Sequence, residues 1–492
     1  MPTTAILWFR RDLRLEDNPA LMAAIDHFER ILPLYIHAPE EEAPWAPGAA
    51  SNWWLHHSLS ALDQSLRERG SRLLIMRGAP LGCLRALINE IGANGASAVF
   101  WNRCYEPATV ARDSRIKQQL RADGIRCESH NASLLFEPWD VKTGADQPFK
   151  VFTAYWRRCQ PRLSKMPPPK PAPERLEPVA LPSAAFGVLE HEQPLDALDL
   201  LPRIGWDAAF PDQWQPGAAG AQAQLRRFID QAAADYAQAR DLPAVLGTAR
   251  ISPHLHFGEI GPRQILAIAK AASDDTQAFV RQLGWREFSA SLLYHFPHTA
   301  DEPLNPLFEA FPWRDPVPSE LLRAWQRGQT GIPLVDAGMR ELWHSGWMHN
   351  RVRMIVASFL TKNLRIPWQV GARWFWDTLV DADLANNTQG WQWTAGCGAD
   401  AAPYFRIFNP VRQGERFDPD GDYIRRWCPE LAQLPKRHLH QPWKAPVAIL
   451  QQAGIELGTN YPRPIVDLAD TRREALAFWQ QLRTADIRAD LA

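Results

Sequence analysis

Apolar runs of strand length alternate with helical periodicity along the first quarter of the chain. The runs TAILWF (4–9), RILPLYIH (30–37), RLLIMRG (72–78) and SAVFWN (97–102) are separated by helix-type patterns at 51–70 and 81–93. Asp17, Asn18 and Pro19 supply a helix start after the first run. Strand and helix in strict alternation predict a parallel, doubly wound sheet over about residues 1–130, an α/β domain. No GxGxxG or GxxxxGK follows the first strand, so a dinucleotide or nucleoside triphosphate is not indicated there. Next comes PRLSKMPPPKPAPERLEPVALP (161–182), which cannot continue a helix or a central strand and reads as an extended linker within about 131–200. From 201 to 492 the periodicity is helical almost throughout, predicting a large all-helical domain.

A length of 492 residues, 46% of them hydrophobic, suffices for two or three cored domains. The N-terminal apolar run is only six residues long, and no segment approaches eighteen uncharged apolar residues, so a cytoplasmic protein without a membrane partner is expected. Six scattered cysteines without CxxC spacing argue against zinc and against a disulfide framework. Net charge is −1, so a nucleic-acid partner has to be met by a local basic patch. Arg351, Arg353, Arg406, Arg412 and Arg416 provide one in an aromatic-rich region.

Candidate chemistry concentrates in the C-terminal part. Residues 381–410, DADLANNTQGWQWTAGCGADAAPYFRIFNP, combine carboxylates, amides, tryptophans and glycines in a stretch too irregular for one regular element, as in a ligand-site wall. In LGTARISPHLHF, Ser252 as cap and Pro253 as first helical residue leave backbone N–H groups outward beside Arg250, a phosphate site in outline. Gln282, Trp285 and Arg286 fall on one helix face, as do Asn350, Arg353 and Met354. An ordinary capped helix, a core tryptophan and a buried ion pair of Arg351 or Arg353 with Asp381 or Asp383 are the structural alternatives at these positions.

These motifs, from WFRRDLRLEDNPAL (8–21) through TGIPLVDAGMREL (330–342) to APYFRIFNP (402–410), resemble the photolyase/cryptochrome family over nearly the whole chain. The resemblance is nearest to microbial cyclobutane pyrimidine dimer photolyases of the class I/III type; LGWREFSASLLYHFP and FPWRDP are similar to the class III branch. It implies an N-terminal antenna domain and a helical domain that holds FAD. Tyr236 and the run Thr248, Ala249, Arg250, Ile251 and Ser252 then match flavin phosphate and ribityl contacts. Asp381, Ala382 and Asp383 match the segment around the adenine and isoalloxazine, Arg353 the arginine paired with the first carboxylate, and Asn387 the residue facing flavin N5. Trp391, Trp368 and Trp313 match an electron relay to the surface. Trp285 and Trp393 match indoles lining the pocket for an extruded dimer in DNA, with Arg286, Asn350, Arg351, Met354, Arg240 and Gln413 as further DNA contacts. Asn102, Tyr105 and Glu106 fall on the antenna loop, with methenyltetrahydrofolate as the expected chromophore and a deazaflavin or an empty site as alternatives. A monomer is expected.

One position departs from the pattern. Dimer-repairing relatives carry Glu where this chain has Gln282, an amide that donates a hydrogen bond but neither passes a proton nor carries charge. The enzymes for (6-4) lesions share Gln there, yet place His at the positions of Asn350 and Met354. The iron–sulfur type is excluded, since the C-terminal half has only Cys397 and Cys428 where four thiolates are needed. Two readings follow: light-driven repair of cyclobutane dimers, or a cryptochrome-like blue-light receptor with weak repair. The helix expected at 468–487, with no long polar tail after it, favours the first.

Overall fold

Four of the five strands are the apolar runs of the sequence, and each is buried on both faces, as a parallel sheet with helices on either side requires. The computed structural model describes residues 4–92, 96–179, 194–272, 276–401 and 405–490. Strands β1 (Thr4–Phe9), β2 (Arg30–His37), β3 (Leu74–Arg77), β4 (Ala96–Asn102) and β5 (Arg126–His130) form one sheet in the order β3-β2-β1-β4-β5, every pair parallel. Helices α1 (Pro19–Ile25), α2 (Ala49–Arg67), α3 (Pro80–Gly92) and α4 (Pro107–Ala122) make the crossovers. Asn18 caps α1 by accepting from the Leu21 N–H at 3.1 Å. Strand β5, RCESH, went unread in the sequence because it is an edge strand whose polar residues carry no apolar run.

The chain forms two compact units: Met1–Phe149 with Thr153–Gln231 and Ala249–Pro297, and Lys150–Phe152 with Ala232–Thr248 and His298–Ala492. The units therefore do not follow the expected boundary at 131–200. In the first unit the Pro-rich segment is fastened to the α/β layer instead of hanging free. The Asp17 N–H donates to the Lys170 carbonyl at 2.8 Å, the Leu176 N–H to the Arg69 carbonyl at 2.8 Å, and Arg69 Nε to the Pro173 carbonyl at 3.1 Å. Residues 180–182 of that segment, and 183–193 after it, lie outside the described ones. Arg14, 2% exposed, donates to the carbonyls of Gly258 and Ala132 at 2.8 and 2.9 Å, so helical residues beyond 249 share the sheet's polar fastenings.

The second unit is helical, with breaks where the sequence pattern ran on. Helical periodicity runs on through residues 334–364 of the sequence, LVDAGMRELWHSGWMHNRVRMIVASFLTKNL, but the helix is cut at Gly346, whose φ of 65° ends Pro333–Ser345. Helix Asn350–Ser358 follows and continues into a π-helical turn, Phe359–Asn363. Asp336, fully buried, accepts from the Thr330 N–H at 2.6 Å, the Gly331 N–H at 3.0 Å and the Tyr461 hydroxyl at 2.8 Å, which pins the start of Pro333–Ser345. No helix among the described residues is long and apolar enough to cross a membrane.

Helix Gln277–His295 of the first unit, which carries Gln282 and Trp285, is held through Glu287. This carboxylate accepts from the Leu135 and Phe136 N–H groups at 2.8 and 3.1 Å. Burial pushes its carboxyl up to about 7 from an ordinary 4.5, so the folded protein holds the proton more tightly than the unfolded chain does. Its contribution to stability accordingly falls as pH rises from 4.5 to about 7, and is constant above that. Glu287→Gln should be more stable than wild type at pH 8, by about 1–3 kcal/mol, and should flatten the melting temperature against pH in that window. Identical pH profiles by thermal unfolding would contradict this.

Candidate functional site

The middle of 381–410 is a regular helix, Leu384–Ala395, where an irregular stretch was expected. Asp383 caps it: Oδ1 accepts from the Asn386 N–H at 2.9 Å and from Asn386 Nδ2 at 2.7 Å. Gly396, with φ of 95°, ends it. Helical geometry sends Trp391 and Trp393 about 200° apart. Trp391 is buried at 2% exposure, whereas Trp393 is half-buried, with the Arg406 guanidinium 4.9 Å above its ring and Phe408 stacked at 6.3 Å. Arg406 was singled out only as part of a basic patch, and Phe408 was missed, since an aromatic in FRIFNP carries no signal of its own. Residues 402–404 of that motif lie outside the described ones. Asn387 donates from Nδ2 to the Ala372 carbonyl at 3.0 Å, which fixes which end of its amide points away from helix Trp368–Thr378.

The buried ion pair expected of Arg351 or Arg353 belongs to Arg353. Its Nη2 reaches both oxygens of Asp381, at 3.0 and 2.9 Å, and Nε donates to the Met348 carbonyl at 2.8 Å. Asp381 is only 8% exposed, so this guanidinium is what makes its charge tolerable there. Ala382, between the two carboxylates, is 1% exposed. Arg351 turns the other way, to Asp241 at 2.8 Å, and lies 4.4 Å over the Phe417 ring. Asp241 went unread because it is about a hundred residues away in sequence. His349 accepts from the Arg351 N–H at 3.2 Å and so caps helix Asn350–Ser358; burial pushes it down to about 4, which keeps it neutral. On that helix Asn350 and Met354 are one turn apart, with Asn350 Nδ2 3.9 Å from the Met354 sulfur. Tyr236 is buried under Arg240, whose guanidinium is 5.5 Å from the ring; burial raises the phenol's pKa. Thr248 is half-buried. Gln413 buries its Oε1 with no hydrogen-bond partner among the described residues.

The three tryptophans expected to form a relay all belong to the second unit, and their surroundings differ. Trp391 and Trp368 are each 2% exposed; Trp313 is half-buried. Trp368 begins helix Trp368–Thr378, and one turn later comes Gly371. A Cβ there would sit 2.1 Å from the Trp391 ring, so the missing side chain is what lets that indole lie on the helix. Phe375 packs edge-on against Trp391 at 5.0 Å.

In the first unit, helix Ser252–His256 begins one residue earlier than expected and has only five residues, with Ile251 as cap and Pro253 second. So short a helix has little macrodipole, and a phosphate would depend on the side chains and N–H groups of 249–252 themselves. Arg250 adopts φ of 47°, rare for a non-glycine residue, and lies 4.4 Å from the Trp214 ring. Ala249 accepts from Gln224 Nε2 at 2.7 Å through its carbonyl, and Glu259 accepts from Trp54 Nε1 at 3.0 Å and the Gly217 N–H at 2.6 Å while pairing with His254. Gln282 and Trp285 are half-buried, and Gln282 donates to the Ala278 carbonyl one turn back at 3.2 Å. Arg286 donates to the Ser133 carbonyl, which gives it a structural task on the same helix.

The antenna residues are engaged within the α/β layer. Asn102, 2% exposed at the end of β4, donates to Asp12 and Asn18 at 2.6 and 2.7 Å and accepts from the Ala20 N–H at 3.2 Å. With Arg10 paired to Asp113, it lies at the carboxyl ends of β1 and β4, the switch point of the strand order where ligands of open α/β sheets bind. Tyr105 donates to Glu137 at 2.8 Å, and Glu106 accepts from Arg11 at 2.5 Å. Trp139, 40% exposed, lies beside Tyr105 and Tyr294 at ring distances of 6.3 and 5.5 Å. Among the described residues no group of His, Cys, Asp and Glu is arranged to hold a metal ion.

Residues 5–174 match the DNA photolyase family, and residues 279–481 match the FAD binding domain of DNA photolyase. A deoxyribodipyrimidine photo-lyase of Agrobacterium fabrum is 46% identical, the match covering 97% of this chain and 98% of that one. Cryptochrome-2 of Arabidopsis thaliana is 41% identical over 97% of this chain and 78% of its own. Among solved structures, a bacterial class III photolyase from Agrobacterium tumefaciens superposes with a TM-score of 0.91 at 45% identity, covering 98% of each chain. An archaeal photolyase from Sulfolobus tokodaii, described with two FAD molecules, gives 0.80 at 29% identity, covering 97% of this chain and all of that one. The chain belongs to the photolyase/cryptochrome family, with a photolyase-type antenna fold and an FAD-binding domain.

The residues of the second unit fit a flavin nucleotide: a nearly buried carboxylate neutralised by Arg353, a carboxylate at a helix cap and an oriented amide lie within seven residues of chain. Arg353→Leu would strip Asp381 of its counter-charge. It should cost about 2–4 kcal/mol in stability and leave the purified protein with markedly less flavin. Wild-type flavin content by absorbance after gel filtration would rule out the pair as a cofactor support.

Proposed function

We propose that this chain repairs cyclobutane pyrimidine dimers in DNA with light, as a cytoplasmic monomer, and that one observation carries the reading best. Helix Leu384–Ala395 presents a buried indole, Trp391, on one side and a half-buried indole under an arginine, Trp393 with Arg406, on the other. A relay residue and a base-stacking residue on one rigid helix are what electron transfer to an extruded lesion needs. Bound FAD would supply light absorption and reversible one-electron transfer.

The chain's own residues bind, orient and insulate. Tyr236, the run 248–252, Asp381 with Arg353, and Asp383 hold the nucleotide, and Asn387 presents its amide at the flavin edge. Trp391, Trp368 and Trp313 would carry electrons inward from solvent toward the bound group. Trp393 and Trp285 offer π-faces to the flipped bases, each worth about 1–3 kcal/mol. Arg406, Arg240 and Gln413 bear on the DNA strand, where the cost of flipping is smallest for a damaged, poorly stacked pair. Gln282 can donate from its amide to a pyrimidine carbonyl once it leaves the Ala278 carbonyl.

A second reading is favoured by Gln282 itself. Without a carboxyl, the dimer radical anion loses an acidic donor able to pass it a proton, and the family's non-repairing role, a blue-light receptor, becomes the alternative. For the antenna we propose methenyltetrahydrofolate, with a deazaflavin or an empty site as rivals. The exposed Trp139 beside Tyr105 and Tyr294 supports a planar chromophore near the antenna loop. The Arabidopsis relative is named a cryptochrome and the archaeal structure is described with two FAD molecules, but those are properties of those proteins.

The reduced protein should split a defined thymine dimer under blue light and leave a (6-4) product intact, and Gln282→Glu should raise the yield per photon. No repair by wild type with recovery in Gln282→Glu would instead establish the receptor reading. Trp391→Phe should all but abolish photoreduction of oxidised flavin in the presence of an external thiol; an unchanged rate by absorbance would remove the relay assignment.

A further inference from the structure

The aromatic run does not stop at Trp313. Phe311 packs on it with ring centres 4.5 Å apart, and Phe405 is 6.0 Å from Phe311. Phe405 in turn lies face to face with Trp479 at 5.0 Å, their planes within 8° of parallel. Phe308 makes a second bridge, 6.1 Å from Phe311 and 5.3 Å from Trp479. Trp479 is half-buried on the C-terminal helix Leu468–Asp490, so its edge meets solvent while its face meets the run.

The helix is fastened in register with the Trp313 segment. Asn363 Nδ2 donates to the Thr471 hydroxyl at 2.8 Å. Arg365 lies 4.7 Å over the Phe478 ring and 3.9 Å from Glu474, while its carbonyl accepts from the N–H of Arg314, the neighbour of Trp313, at 2.8 Å. One residue therefore ties both ends of the run. Phenylalanine rings are too hard to oxidise to hold a charge, but stacked π-systems at these separations couple donors on either side. Only the two indoles at the ends are readily oxidised.

We propose that Trp479 is a further electron donor, passing an electron through Phe405 and Phe311 to Trp313 after Trp313 has been oxidised. The inference rests on the relay reading of the preceding subsection. One electron leaves the Trp479 indole and restores Trp313; the oxidised Trp479 releases its indole N–H proton to solvent at its half-exposed edge. A small one-electron reductant from solution, such as a thiol, then returns an electron and a proton to it. The effect is to move the positive hole farther from the flavin before it can recombine. Lys362 bears on the same path: wholly buried, with Nζ 3.4 Å from the Phe405 ring centre, it donates to the Ala395 carbonyl. Burial holds its pKa well below the usual lysine value, which weakens the positive charge it would set beside Phe405.

Flash excitation of the oxidised holoprotein, following indole-radical absorption, tests this with Trp479→Phe, Phe405→Leu and Trp391→Phe. The first two should keep initial charge separation but recombine several-fold faster than wild type, with a several-fold lower photoreduction yield in thiol. Peptide mass spectrometry of wild type after prolonged illumination in air should find oxidised indole at Trp479, and little of it in Trp313→Phe. This last measurement does not depend on whether Trp479→Phe folds. Wild-type recombination in Trp479→Phe and Phe405→Leu, or no oxidation at Trp479, overturns the inference while a dead Trp391→Phe upholds the relay. Full photoreduction in Trp391→Phe overturns the relay, and the inference falls with it.

Discussion

A carboxylate that is almost out of water needs a counter-charge, and the second unit is arranged around that need at Asp381. Arg353 supplies it only because His349 caps the helix that carries it and the Met348 carbonyl holds Nε. The same helix turns Arg351 to Asp241, and that tie places the chain from Tyr236 to Thr248. Two residues beyond Asp381, Asp383 starts the helix of Asn387, Trp391 and Trp393. A hydrophobic pair at 353 and 381 of similar volume would pack as well and could be more stable. Such a pair would not orient these four elements toward a polar ligand, which is the reason to keep the charges.

Much of this was legible in the sequence, for a physical reason. The parallel sheet announced itself because strands buried on both faces must be continuous apolar runs, and the helix cap at Asn18 uses a side chain that acts locally, whereas the cap at Asp383 was hidden in a stretch read as irregular. What escaped was whatever depends on distant partners or on a single backbone angle. β5 lacks an apolar run, the long pattern at 334–364 hides the break at Gly346, and the length of helix Ser252–His256 follows from what its flanks do. The Pro-rich segment, read as extended from its first residue, opens instead in a 3-10 helix, Gln160–Lys165, and its later backbone donors and acceptors find partners in the α/β layer, which no composition reveals. Among site residues, Arg353 and Asp381 pair as their types suggested, whereas Asn102 and Arg286 are occupied by structural tasks that their motif positions do not disclose.

Tryptophan usage is the other lesson of the chain. Twenty-two indoles cannot all be functional, and environment sorts them. Trp54 gives its N–H to Glu259 and Trp325 to the Val356 carbonyl, as buried indoles usually do. Trp391 is buried without such a partner among the described residues, as is Trp8 in the sheet core, so the unpaired N–H is a cost both carry and position has to tell them apart.

Gly371 shows what such sorting can rest on. A glycine inside a helix weakens it by about 1 kcal/mol relative to alanine. Here the absent methyl admits an aromatic ring to within contact of a backbone whose next turn back bears another indole. A single hydrogen in place of a carbon therefore sets where the ring sits: an alanine there would put its Cβ 2.1 Å from the Trp391 ring, so the indole would have to leave the helix and packing and ring-to-ring distance would change together.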